Sequence, residues 1–156
     1  AQKTLDVDIN VANIISMTLD HNSTSTTILP NSADLTAMFT NIYVSTNSPE
    51  GYTLTLADSD NNANLQTAFG ATIAPISSEP VGGSNPGWAV RIDGESTWRA
   101  MPIQSSSSVI TVKNYSPSPK VVTVNDHSKV FYGVAASSDQ ATGTYTDTVT
   151  YTATAK

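Results

Sequence analysis

Two histidines are the side chains best suited to acid–base or metal chemistry in this 156-residue chain. His21 follows Asp20 and His127 follows Asp126, each in a polar stretch. A zinc site needs further ligands at close spacing, and neither neighbourhood offers them. The absence of cysteine also excludes thiolate nucleophiles, thiolate metal sites and disulfides. We therefore interpret both histidines as solvated loop residues.

Acidic residues form two further patterns. Asp6 and Asp8 lie on one face of a predicted strand, as paired carboxylates in acid–base catalysis can, but a solvated face explains them better. Residues 58–62 (Asp-Ser-Asp-Asn-Asn) place oxygen donors as a calcium loop does. They lack the glycine at the sixth position and the closing glutamate of the helix-flanked type, so a polar hairpin loop is the better interpretation. We expect no metal and no cofactor.

An aromatic and cationic group could contact a glycan. Indole faces stack on sugars and guanidinium groups bind carboxylates, which makes candidates of Trp88, Arg91, Trp98 and Arg99. The alternative is that one tryptophan fills the core while the arginines decorate a hairpin. The sequence contains no G-x-S-x-G turn and no glycine-rich phosphate loop. We therefore expect no enzyme activity.

The composition favours one all-β domain. Thr and Ser make up more than a quarter of the chain, whereas only 13% is charged. Abundant β-branched residues and scarce helix formers exclude an all-helical fold. The net charge of −6, with seven scattered Lys and Arg, excludes a nucleic-acid footprint, and no apolar run approaches the ~20 residues of a membrane span. The polar, weakly charged composition, together with a start at Ala1 without methionine, predicts a processed extracellular product.

Strict alternation of apolar and polar residues dominates the first twenty positions. Apolar side chains occupy the odd positions from Leu5 to Leu19, interrupted only by Asn13, which is the period of a β-strand. Fifteen residues would span roughly 50 Å, too long for one internal strand. We expect two successive strands with a joint near residues 12–13.

Similar alternation predicts strands along the rest of the chain. Residues 41–46 and 52–56 form a predicted hairpin around the turn 47–51, and residues 88–92 and 97–103 form a second around Asp93-Gly94. The remaining predicted strands are 109–112, 121–124, 130–136 and 144–155. Eight to ten short strands indicate a β-sandwich.

The two ends suggest assembly between copies of the chain. If residues 1–12 lie outside their own domain, they present four apolar side chains on a free strand: Leu5, Val7, Ile9 and Val11. Each is worth roughly 1.5–3 kcal/mol when buried, in a gap left by a missing strand of another copy. Such a head-to-tail contact does not close on itself and builds a fibre.

Several segments resemble a bacterial pilin family. Residues 3–11 (KTLDVDINV) look like the N-terminal extension of major pilins of alpha-clade (class 5) chaperone–usher fimbriae. The likeness continues in Ile28-Leu29-Pro30, in residues 44–47 and 54–58, and in Gly143-Thr144-Tyr145 at the start of the last strand. The lack of cysteine also fits this clade.

The resemblance implies an all-β, incomplete immunoglobulin-like β-sandwich completed by a donor strand. Residues 1–12 would be the donor-strand extension and residues 13–156 the pilin domain. The acceptor groove would be lined in part by the last strand, through Val149, Tyr151 and Ala153. Expected partners are like subunits, a periplasmic chaperone, an outer-membrane usher and a host glycan or glycoprotein contacted by the adhesive fimbria. Asp147, which falls in the apolar phase of the last strand, departs from this pattern.

Two other functions remain open. A stand-alone immunoglobulin-like module of a surface adhesin would fold its N-terminal strand back into its own sandwich and could bind glycans. A β-jelly-roll enzyme would need a convergent acid pair or a metal site.

Overall fold

The computed structural model of the chain describes residues 1–105 and 108–156 and contains only β-strands and loops in those ranges. Two antiparallel sheets, with strand orders β1-β2-β8-β6 and β7-β3-β9, are accompanied by the short pair β4-β5. The nine strands of the described ranges are β1 (Ile15–Leu19), β2 (Thr36–Thr46), β3 (Tyr52–Asp58), β4 (Leu65–Gln66), β5 (Thr72–Ile73), β6 (Gly87–Ile92), β7 (Ile110–Tyr115), β8 (Thr123–Ala135) and β9 (Val149–Ala155). The all-β prediction is confirmed, and the arrangement is consistent with a β-sandwich. No helix in the described part of the chain is long and apolar enough to cross a membrane.

The core lies where the apolar faces of the two larger sheets meet. Ile42 and Val44 of β2 are fully buried, and alternate residues of β3 are equally inaccessible. Because successive side chains of a strand point to opposite faces, this burial follows directly from the period of two in the sequence. The same cluster of buried residues includes Trp88, Val90, Val130, Tyr132 and Val134.

The predicted hairpin of residues 41–46 and 52–56 is wrong. β2 pairs with β1 and β8, whereas β3 pairs with β7 and β9, so the turn 47–51 carries the chain from one sheet to the other. Gly51 of this turn has φ 89°, and a Cβ there would lie 2.1 Å from the carbonyl oxygen of Tyr115. A hairpin and a sheet-to-sheet crossing both join two alternating strands by a turn, so local pattern cannot distinguish them.

Other predicted strands are correct in part. Val90 and Arg99 exchange two backbone hydrogen bonds of 2.9 and 2.8 Å, as the second hairpin requires, but no continuous strand covers residues 97–103. β8 runs unbroken through the predicted interruption at 125–127, with Asn125 at φ 49°. At the N-terminus only β1 forms, and residues 1–14 belong to no strand.

Three polar contacts connect the two larger sheets. The Tyr52 hydroxyl of β3 donates to Asp126 Oδ2 of β8 at 2.6 Å, and Lys113 of β7 forms an ion pair with the same carboxylate at 2.8 Å. The hydroxyls of Tyr132 of β8 and Tyr151 of β9 lie 2.5 Å apart. Burial raises the pKa of Tyr132 to about 12, and the hydrogen bond with Tyr151 partly offsets that rise.

Candidate functional site

Each of the two larger sheets has an edge strand on the same side of the molecule. β1 pairs only with β2, and β9 pairs only with β3. Cα atoms of the two strands come within 8 Å of each other, yet no ladder of hydrogen bonds joins them. We call this boundary between β1 and β9 the open seam.

Apolar side chains lie along both sides of the open seam. Three on β1 and three on β9 are half-buried and pack against the core cluster: Ile15, Met17, Leu19, Val149, Tyr151 and Ala153. The threonines that alternate with them on β9 are exposed. The three predicted acceptor residues therefore share one inward face, which is half-buried.

Sequence reasoning did not single out the β1 side of the seam. Ile15, Met17 and Leu19 continue the odd-position alternation of the N-terminus, so the pattern identified their face. It could not indicate that β1 lies beside β9, because that proximity depends on strands distant in the sequence.

Residues 1–11 extend away from the folded part of the chain. The four predicted donor side chains are largely accessible: Leu5 is 86% exposed, Val7 72%, Ile9 84% and Val11 77%. Among the described residues no hydrogen bond or ion pair involves residues 1–11. Four aliphatic side chains, two positions apart, are thus exposed to solvent and would share one face of an extended segment. Leaving this apolar surface in water costs free energy.

Asn47 fixes the chain where this segment meets the fold. Its side chain accepts the backbone N–H of Ile14 at 2.7 Å and donates to the carbonyl oxygen of Ala12 at 2.9 Å. The Thr46 hydroxyl also donates to the Ile14 carbonyl oxygen at 2.8 Å. These contacts anchor residues 12–14 beside β2 and leave residues 1–11 unsupported.

The predicted glycan group is only partly accessible. Trp88 is 3% exposed and donates its indole N–H to the Ala63 carbonyl oxygen at 2.9 Å, and Trp98 is 6% exposed. Arg91 lies over the Trp98 ring at 5.2 Å from its centroid, and Arg99 pairs with Glu95 at 2.7 Å. The indole faces are therefore occupied by protein atoms, and a glycan contact at these residues stays a prediction.

The histidines form ordinary polar contacts. His21 pairs with Asp20 at 2.7 Å, and His127 Nε2 lies 2.9 Å from Asn41 Oδ1. In the described ranges no group of three or more His, Cys, Asp or Glu side chains has the arrangement of a metal site. Asp6 and Asp8 are exposed in the N-terminal segment.

Comparisons with known proteins add no relative, since no family model, curated protein or solved structure matches the chain significantly.

Proposed function

We propose that this protein is a structural subunit of an extracellular adhesive fimbria that polymerises by donor-strand exchange. Residues 1–12 of one copy add a strand at the open seam of the next. The fold is then an immunoglobulin-like sandwich completed in trans, and assembly involves a periplasmic chaperone and an outer-membrane usher, as in the alpha-clade pilins that the sequence resembles. The subunit belongs to the shaft, and the polymer supports attachment to host surfaces.

One observation carries this proposal: the chain exposes a segment of alternating apolar residues and leaves β9 with a free edge. The side chains of Leu5, Val7, Ile9 and Val11 are exposed and fall on one face when the segment is extended as a strand. Burying each exposed side chain contributes roughly 1.5–3 kcal/mol, and pairing with a free edge satisfies its backbone groups.

The lengths of the two elements also agree. β9 has seven residues, and the stretch from Leu5 to Val11 has seven as well. At about 3.3 Å per residue each spans roughly 23 Å. A donor strand can therefore pair along the whole free edge of β9 while placing its four apolar side chains toward the core.

Introducing negative charge on the apolar face of residues 1–12 tests the proposal. Val7→Asp combined with Ile9→Asp places two carboxylates where the donor strand enters a neighbour, and we expect polymers to disappear from electron micrographs and light scattering. The matched control is Thr4→Asp with Asn10→Asp, which adds the same charge on the opposite face and should still polymerise.

The outcome separates the proposal from a monomeric surface module. Intact fibres from the Val7→Asp, Ile9→Asp protein contradict donor-strand exchange through this face. A wild-type protein that stays monomeric at all concentrations favours the stand-alone adhesin module instead.

A further inference from the structure

A buried and a half-buried aspartate meet where β3 ends and the segment leading into β9 begins. Asp58 is the last residue of β3 and is 1% exposed, whereas Asp147 is half-buried. The Ser59 N–H donates to the Thr148 carbonyl oxygen at 2.9 Å, which holds the two segments together. Asp147, which interrupts the apolar positions of the last predicted strand, therefore lies against the start of the acidic loop of residues 58–62.

Each of these carboxylates has one oxygen without a hydrogen-bond donor. Asp58 Oδ1 accepts the N–H of Asp60 at 3.0 Å, and Asp147 Oδ1 accepts the N–H of Thr148 at 2.7 Å. The Oδ2 atoms of both residues are buried and have no hydrogen-bond partner in the described part of the chain. A buried carboxylate oxygen that lacks a donor or a cation carries a large desolvation cost.

The negative charge at this point has no protein cation to balance it. Among the described residues, every ion pair involves an acid elsewhere, and none includes Asp58, Asp60 or Asp147. The carboxyl groups of Asp58 and Asp147 lie within hydrogen-bonding distance of each other. Because like charges in contact repel, the pair needs a shared proton or a cation.

Neutral oxygen donors lie beside Asp147. An open polar pocket beside Asp147 is lined by hydroxyl and amide side chains, including Asn62, Asn64, Gln66 and Thr148. Carboxylates, amide oxygens, hydroxyls and water are the ligands of hard divalent cations, and Ca²⁺ accepts six to eight of them in irregular geometry. Zinc and other transition metals prefer histidine or thiolate, which the pocket lacks among its described residues.

We propose that a calcium ion binds between Asp58 and Asp147, next to this pocket, with the two Oδ2 atoms as the anionic ligands. Asp60 contributes a third negative charge nearby, and amide oxygens and water complete the coordination. The loop of residues 58–62 lacks the final carboxylate ligand of a calcium loop, and Asp147, just before the neighbouring strand β9, supplies one.

Calcium titration of the full-length protein tests this assignment. We expect isothermal titration calorimetry with CaCl₂ to show one site per chain. Thermal unfolding at a hundredfold excess over Kd should shift upward by about 5 to 11 °C. Asp147→Asn should remove both the binding heat and the shift, and its calcium-free Tm should equal or exceed that of the wild type because one charge of the pair is gone.

Controls make the result specific. Asp93→Asn, which removes an exposed carboxylate in the turn after β6, should bind calcium as the wild type does. Asp58→Asn should also lose binding, and if that variant fails to fold, Asp147→Asn decides the question. Three results overturn the proposal: no calcium heat from the wild type, unchanged binding by Asp147→Asn, or an equal Tm shift with NaCl at matched ionic strength.

Discussion

A second copy of the donor segment, attached after Lys156 through a flexible linker, should stabilise the monomer. The appended residues 1–12 would pair with the free edge of β9 within the same molecule and cover the open seam. Because the linker converts assembly into an intramolecular step, the stabilisation is independent of protein concentration. The most informative comparison is between this chimera and one whose copy carries the Val7→Asp and Ile9→Asp equivalents.

The expected difference follows from the exposure of the two side chains. Val7 and Ile9 are 72% and 84% exposed, so roughly 1 to 2.5 kcal/mol of burial free energy per side chain remains to be gained. The pair therefore contributes about 2 to 5 kcal/mol. For a domain of this size each kcal/mol shifts Tm by about 2 to 4 °C, which predicts a difference of about 4 to 20 °C. Differences of this kind are sounder than absolute sums, since the reference unfolded state cancels.

Thermal unfolding followed by circular dichroism measures the effect at two protein concentrations. A third chimera, with the Thr4→Asp and Asn10→Asp equivalents in its copy, should be as stable as the unmodified chimera because those side chains face outward. If all three chimeras share the Tm of the bare subunit, the appended strand does not bind the seam and the reasoning fails. Equal loss in both charged chimeras would show that charge, and not the apolar face, controls the effect.

Two further predictions concern the contacts between the sheets. Tyr52→Phe removes the hydroxyl that donates to Asp126 and should lower the free energy of unfolding by about 1.5 to 3 kcal/mol, the range for a hydrogen bond to a charged group; an unchanged urea midpoint would contradict this. Tyr132 should make stability fall between pH 10 and about 12, because the unfolded tyrosine ionises first while the folded one keeps its proton. The loss reaches about 1.4 kcal/mol per pH unit once the unfolded side chain is ionised. Tyr132→Phe should have a shallower alkaline slope, and an identical slope refutes the assignment.

The alternation of apolar and polar residues was sufficient to locate strand faces. Residues 42 and 44 of β2 and residues 52, 54 and 56 of β3 point inward as their spacing requires, because the period of a strand is a local property of the backbone. The same rule placed Val149, Tyr151 and Ala153 on one face. Local pattern also identified Leu5 to Val11 as a strand-like segment, whose exposure the structure then displayed.

Strand partners could not be obtained in this way. An alternating strand fits any neighbour whose face is apolar, so the turn 47–51 was compatible with a hairpin although it crosses between sheets. The burial of Trp88 and Trp98 likewise depends on which strands pack above them. For the open seam, the sequence predicted the residues of β9 but not those of β1.

The meeting of Asp58 with Asp147 shows the same division most clearly. Each acid stands in a stretch whose local character is plain, one in a polar loop and the other in an alternating strand. Their contact arises because β9 pairs with β3 along its whole length, a ladder formed by residues nearly a hundred positions apart. Local spacing fixes the direction in which a side chain points, whereas the long-range pairing of strands decides which side chains meet.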